Sequence, residues 1–396
     1  MTLSKQIIED RLHQLYLALS STHDKYDTVI ITSRVNLYYY TGTMQDGLLV
    51  LRSNGDSFFF VRKSFDRAKT ESAFKPIYKI QSYRDMRTQL PEDLGSVYIE
   101  TESVPIAMLD RIRKHFAMDR ILPLDRVIAL QRAVKSAYEL EFIRESGRRH
   151  QIIMEKTVPK LLREGMSETD FAAELYAEMI KNGHHGVSRF SMFQMEMIIG
   201  QLGFGETSLY PTNFDGPGGM QGMYPVVPII GNRDRFLKKG DNVFVDVGFG
   251  YMGYHSDKTQ VYSFGSEPNE YTIRVHQACM DVLEKAASLI KPGANPADIY
   301  QIATGDLPEE LSDHFMGYGS ESVKFLGHGV GMYIDELPII SAGYSLPLQE
   351  NMVIAIEPKR GIEGIGMVGV EETFVVTPSG AECITGGPLP IVVIPA

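Results

Sequence analysis

Compact apolar blocks separated by polar stretches mark the first third of the chain. Tyr26–Thr32 (YDTVIIT), Gly47–Leu51 (GLLVL) and Ser57–Val61 (SFFFV) are rich in aliphatic and aromatic residues, the pattern of short buried strands. Asn54-Gly55 lies between the last two and tolerates the positive φ of a tight turn, so these strands are expected to form a hairpin. Val97–Glu100 (VYIE) predicts a further strand and residues 104–116 a helix. Residues 1–27 read as an amphipathic helix. The succession predicts a small α/β domain over residues 1–128.

From Ala129 charged and apolar residues alternate at helical spacing, and a second domain over 129–396 is expected to begin there. Leu140, Ile143, Met154, Val158 and Leu162 can share one broad helix face. Ser167 with Asp170 forms a capping signal, Phe171, Leu175 and Met179 follow on one face, and Gly183 ends the helix. The Met-rich stretch Phe190–Met197 (FSMFQMEM) is expected to fill core. Residues 203–232 are rich in Gly and Pro; so long a loop in a compact domain predicts the wall of a functional site.

Composition narrows the function classes. The 396 residues are 43% apolar and 22% charged, with a net charge of −11. Dispersed basic residues on an acidic chain argue against a nucleic-acid partner, because phosphate binding needs a basic face. No apolar run is long enough to span a membrane, and the N-terminus lacks the pattern of a signal peptide. Cys279 and Cys383, without a CxxC, point to a reducing compartment, so a cytoplasmic protein with no membrane partner is expected.

Five residues of the second domain carry the candidate chemistry. Asn242–Gly248 (NVFVDVG) and Tyr254–Phe264 (YHSDKTQVYSF) are expected to pair as antiparallel strands, bringing Asp246 and Asp257 together. Asp241, by contrast, fits a turn. His328 stands between Gly327 and Gly329, which leave its imidazole unobstructed. Glu357 ends the apolar run Met352–Ile356, and Glu371 shares a strand face with Gly369 and Thr373. Glu372 is expected on the opposite, solvated face. Four carboxylates and one imidazole suit two hard or borderline divalent metal ions such as Mn, Co, Fe or Zn, and hence hydrolysis by an activated water.

The motifs VFVDVG, YHSDKTQVYSFG, GHGVGMYIDELP, AIEP and VEETFVVT, in this order, resemble those of the creatinase, prolidase and methionine aminopeptidase family. The stretch Ser33–Thr43 likewise resembles a creatinase-type N-terminal domain. The resemblance implies an α+β fold, with a pita-bread catalytic domain preceded by the smaller α/β domain. It implies that Asp246 chelates one metal, that Asp257 and Glu371 bridge both, and that His328 and Glu357 complete the ligand set of the second ion. A metal-bridging water would then be the nucleophile, with Glu357 as general base and His328 also at the catalytic centre. The implied substrate is a small peptide or amide, most simply an Xaa-Pro dipeptide, and the implied assembly a homodimer.

Three positions depart from the family pattern. Asp335 and Ile229 stand where peptide-cleaving members carry His, and Gly369 where proline-specific members carry Arg. Fewer cationic donors predict weak binding of a free carboxylate, worsened by Asp335. His184, His185 or Asp335 are candidate substitutes for the histidines, and Lys359 and Arg360 are the nearest basic residues to Glu357. The alternatives are a hydrolase of non-peptide amides or cyclic amidines, resembling ectoine hydrolase, and a non-catalytic peptide-binding module. Retention of four converging carboxylates weighs against the module and against a metal-free creatinase-like mechanism.

Overall fold

The computed structural model describes residues 3–22 and 24–396. The N-terminal helix forms over Lys5–Ser20, with Ser4 as its cap; Met1, Thr2 and His23 of the expected segment lie outside the described residues. The chain divides into two compact units, one ending at Gln131 and the other running Arg132–Ala396.

In the first unit Thr28–Ile31 sits inside a six-stranded mixed sheet, antiparallel to Gly47–Arg52 and parallel to Ser96–Ile99. Gly47–Arg52 and Ser57–Val61 form the expected hairpin, with Gly55 at φ +97° in the turn. The helix predicted over 104–116 is shorter, Ile106–Arg113, because Pro105 stands at its N-cap. Ile30, Val50, Phe60, Val97 and Ile99 pack with Leu94, Ile112 and Phe116 to make this unit's core.

The second unit opens with helix Ala137–Ile152. The helical pattern from Ala129 is interrupted, since Asp125–Ala133 ends and Ser136 with Glu139 builds a new capping box. Leu140, Ile143, Met154, Val158 and Leu162 are all buried. The Ser167–Asp170 capping box starts Glu168–Lys181, whose Phe171, Leu175 and Met179 are buried. Gly183 follows at φ +93°, a conformation glycine adopts without steric cost.

Two sheets meet at the centre of this unit, joined by a bridge between Thr259 and Glu371. Val392–Ile394, Tyr254–Phe264, Asn242–Tyr251 and Gly200–Phe204 form one; the last is a strand that its glycines conceal from the sequence pattern. Glu336–Ile340, Gly327–Gly329, Val353–Ile356, Glu372–Thr377 and Gly380–Cys383 form the other. Strand alternation assigns the faces. Val243, Val245, Val247 and Phe249 pack with Phe171 and Leu175, so Asp246 points the other way, on the side of Phe244. Ile354, Ile356, Phe374 and Val376 pack against Val275, Cys279 and Leu283 of helix Glu270–Leu289, which sends Glu357 and Glu371 to the opposite face.

Two expectations are corrected. The Met-rich stretch is not core: Phe193 is 80% exposed and Met192 39%, because residues 190–197 form an irregular loop without a ladder to hold them inside. Glu372 does lie on the face away from Glu371, but it is fully buried rather than solvated. It pairs with the equally buried Lys258 and accepts hydrogen bonds from Thr385 Oγ1 (2.5 Å) and Gly387 N (3.3 Å). No helix among the described residues is long and apolar enough to cross a membrane.

Removing Glu372 leaves a buried ammonium without its counter-ion. Glu372→Ala is therefore expected to destabilise the chain by about 3–5 kcal/mol, read as a lower urea midpoint. The paired substitution Lys258→Met with Glu372→Leu should recover most of that loss, and equal instability of single and double variants would refute the account.

Candidate metal centre

The site lies between the two sheets, where alternation sends carboxylates inward from both. Asp246 pairs with Thr259 and Asp257 with Gly248 across the antiparallel ladder, so the two aspartates are diagonal neighbours on one face rather than directly opposite. Glu371 approaches from the second sheet through a bridge to Thr259, whose N donates to Glu371 O at 3.2 Å. Thr259 Oγ1 donates to Glu371 Oε2 at 2.9 Å. Thr373 Oγ1 joins the sheets a second time, accepting from Asp257 N (2.8 Å) and donating to Asp257 O (2.7 Å).

His328 is held in the short strand Gly327–Gly329. A Cβ on Gly327 would lie 2.1 Å from Ala355 O, and one on Gly329 equally close to Leu337 O, so only glycine permits this approach. His328 Nδ1 lies 3.1 Å from two carbonyls, Gly329 O and Ile334 O. Carbonyls only accept, so Nδ1 carries a proton and Nε2 is turned to the site; burial works against a charged ring, but Glu357 and Glu371 outweigh it and raise the pKa of His328. His328 Nε2 is 3.5 Å from Glu357 Oε1 and 3.8 Å from Glu371 Oε1.

Asp257, His328 and Glu371 offer ligand atoms that all lie within 4.8 Å of one another. Glu371 Oε1 is buried without a hydrogen-bond partner, an orphaned anionic atom aimed at His328. These three donors fit a divalent cation. Asp246 and Glu357 are drawn instead to a residue the sequence reading placed outside the ligand set, Lys359. Its fully buried Nζ donates at 2.8 Å to Asp246 Oδ2, Glu357 Oε2 and Glu371 Oε2 alike. The signal was its position two residues after Glu357, which alternation puts on the same side.

Crowding shows in the proton affinities. Burial, then Glu371 and Asp246, push Asp257 well above the usual carboxylate range. Burial raises Asp246 to about 6 although Lys359 opposes it. Burial works against the Lys359 ammonium, but Asp246, Glu357 and Glu371 outweigh it and hold the charge.

The proposed substitute histidines are elsewhere. His184 Nδ1 accepts from Gly250 N at 2.8 Å and His185 Nδ1 from Gly253 N at 3.1 Å, so both brace the tip of the Asn242–Phe264 hairpin. Asp335 is turned to Ser191, accepting from its N at 2.7 Å and its Oγ at 2.8 Å. It anchors the 187–198 loop. That loop and Ile229 line a cavity of about 540 Å³ with Arg189 and Tyr333. The cavity adjoins the centre through Ile334, which donates its N to Arg189 O (2.8 Å) and whose own O holds His328. A larger concavity of about 680 Å³ around Lys238–Asn242 contains none of the five expected ligands.

Comparisons with known proteins identify the family of both parts of the chain. Residues 141–378 match the profile of metallopeptidase family M24, and residues 14–134 that of the creatinase/prolidase N-terminal domain. The chain is 27% identical over 364 residues to an Xaa-Pro dipeptidase of Pyrococcus horikoshii, covering 91% of this chain and 92% of that one. It superposes on a prolidase from Pyrococcus furiosus with a TM-score of 0.74 and 25% identity, covering 92% and 97% of the two chains. For the Pyrococcus horikoshii prolidase structure the TM-score is 0.79 at 24% identity, covering 97% and 100%. The fold is thus a creatinase-type N-terminal domain followed by a pita-bread domain.

Asp257→Ala and Glu371→Ala are each expected to weaken Mn binding at least about 100-fold, measured by titration calorimetry. Affinity should also fall as pH is lowered below neutrality, with protons released on binding, because burial and the neighbouring Glu371 and Asp246 raise the proton affinity of Asp257, which must give up its proton to act as a ligand. Unchanged affinity as pH is lowered would contradict the raised proton affinity of Asp257.

Proposed function

The chain belongs to metallopeptidase family M24 and is therefore a metallohydrolase, and from that premise we propose that it cleaves the C–N bond of small Xaa-Pro peptides. The observation that carries the proposal is the convergence of Asp257, His328 and Glu371 on one small space beside an orphaned carboxylate oxygen. An oxygen-rich donor set with one imidazole suits Mn, Co, Fe or Zn. When bound, such an ion supplies Lewis acidity, polarising the amide carbonyl and lowering the pKa of water.

The residues of this chain do the rest. Glu357 is the proposed general base: its Oε2 is pinned by Lys359, which leaves Oε1, 3.5 Å from His328 Nε2, facing the open side. His328 holds its ligand lone pair in place because both carbonyls behind it fix the tautomer. In the two-ion reading Asp246 belongs to a second position, and that is where Lys359 Nζ lies.

Substrate recognition is proposed to rest on Arg189. Lys359 is spent on three carboxylates, and Arg360 is tied to Asp313 O (2.6 Å) and Tyr271 OH (2.9 Å), so neither basic neighbour of Glu357 is available to a substrate. Arg189 lines the adjoining cavity beside Tyr333, and no carboxylate among the described residues offsets the burial of its charge. Asp335 spends both carboxylate oxygens on Ser191, which lessens the repulsion it offers a substrate carboxylate in this proposal. A free C-terminal carboxylate then has a cationic partner after all. The amidine-hydrolase and binding-module readings gain no support from relatives that are Xaa-Pro dipeptidases. A cytoplasmic homodimer belongs to the same proposal. Cys279 and Cys383 are free, as suits a reducing compartment, and the pairing of two chains rests on the family resemblance.

The test is proline release from a panel of Xaa-Pro dipeptides with Mn or Co saturating. Turnover abolished by chelation and restored by metal is expected; no release from any member would sink the proposal. Arg189→Ala should lower kcat/KM for the free acid about 10- to 100-fold, chiefly through KM, and leave the C-terminal amide nearly unaffected. Equal loss on acid and amide would remove Arg189 from carboxylate recognition.

A further inference from the structure

Lys359 divides the carboxylate cluster into two halves. On one side, three oxygens from three different carboxylates, Asp246 Oδ2, Glu357 Oε2 and Glu371 Oε2, each lie 2.8 Å from its Nζ. An ammonium has three donors and no acceptor, so every donor is used. On the other side the remaining oxygens of the same glutamates, both Oε1, face His328, and Glu371 Oε1 has no hydrogen-bond partner. One half is filled by a cation that belongs to the chain, and the other is built for a cation that does not.

The lysine is seated there by its backbone. Lys359 pairs with Gly369, which has φ +133°, and a Cβ on residue 369 would lie 2.3 Å from Pro358 O and 3.1 Å from Lys359 Cγ. Absence of a side chain at 369 is what gives the lysine stem its room. A metal ion on the same three oxygens would need them at about 2.0–2.2 Å, and would stand in the volume of Nζ against a like charge.

We infer that Lys359 replaces one of two cations in this centre, so that the chain holds a single divalent ion, in the half formed by Asp257, His328 and the Oε1 edge of Glu371. Asp246 is then a partner of Lys359 and not a metal ligand. The inference goes beyond the proposed function and is independent of which bond is cleaved. A protein that binds one ion yet releases no proline would overturn the substrate reading and leave this one intact.

The test counts metal, without reference to activity. Purified full-length chain is stripped with chelator, reloaded with excess Mn or Zn, desalted and analysed by plasma mass spectrometry, with calorimetry for affinity. About one equivalent is expected in the parent chain. Lys359→Met should raise the count to about two, because it opens the filled half and leaves its carboxylates uncompensated. Asp246→Asn should keep the single equivalent with affinity within about threefold, since it touches only the lysine side. Two equivalents or none in the parent would overturn the inference. So would loss of the ion in Asp246→Asn, or a soluble, folded Lys359→Met that still binds one. Should Lys359→Met fail to fold, the parent count and Asp246→Asn decide the question between them.

Discussion

Mutual repulsion among four buried carboxylates is the constraint to which the rest of the catalytic unit answers. Asp246, Asp257, Glu357 and Glu371 are each at most 8% exposed and converge between two sheets. Removed from water, such groups stay ionised only beside positive charge, and otherwise take up protons. Both responses are visible: Lys359 is held charged in the interior by three of them, and Asp257, the one that Lys359 does not contact, is pushed well above the usual carboxylate range. His328 fits the same logic, because its Nε2 faces two of the carboxylates and can meet them either with a proton or with a lone pair shared with a cation.

Holding the cluster together also requires strands that cannot slip. A one-residue shift would turn every inward carboxylate outward. The segments that carry Asp257, Glu371 and His328 have a second buried charge pair on the far side or next to them. Lys258 follows Asp257 and pairs with Glu372, which follows Glu371, so the strands that present these two ligands are cross-linked on the face away from the site. Behind His328, Glu336 lies opposite Gly329 in the ladder and pairs with both Arg132 and Lys135. Buried pairs of this kind add little net stability over apolar packing, but losing one partner is costly, which makes the register all-or-none.

The order of elements and the ligand-type residues were legible because the signals were local. Hairpin turns, capping boxes and an Asp inside VFVDV each declare themselves within a few residues. What escaped depends on partners distant in sequence. Alternation places Glu372 on the face opposite Glu371, but whether that face meets solvent or Lys258 is decided 114 positions away. Gly200–Phe204 lacks the apolar density of a strand and is one because Asn242–Tyr251 pairs with it. The loop 187–198 reads as core from its methionines, yet its place is set by Ser191 bonding to Asp335, which makes it a cavity lip carrying Arg189. A lysine after Glu-Pro reads only as a basic neighbour of Glu357 for the same reason: nothing nearby announces the three acceptors waiting for it.

Lys359 and Gly369 are best understood as one feature. From sequence, Gly369 is the loss of an arginine that would serve a substrate carboxylate. In the folded chain the same position lies opposite Lys359 in the ladder, where any Cβ would collide with the backbone of Pro358 and Lys359. An arginine at 369 and a lysine in this pose at 359 therefore exclude each other sterically as the backbone stands. The positive charge sits at a position that faces the carboxylates instead, and Arg189, on another segment, lines the neighbouring cavity. A covalent ammonium differs from a metal ion in the same place in two ways that follow from its chemistry. It cannot be chelated away, and with all three donors engaged it has no open position for water. The half of the centre that Lys359 fills is thereby structural, which leaves the half beside His328, the more exposed of the five expected ligands at 13%, as the place where a reaction can occur.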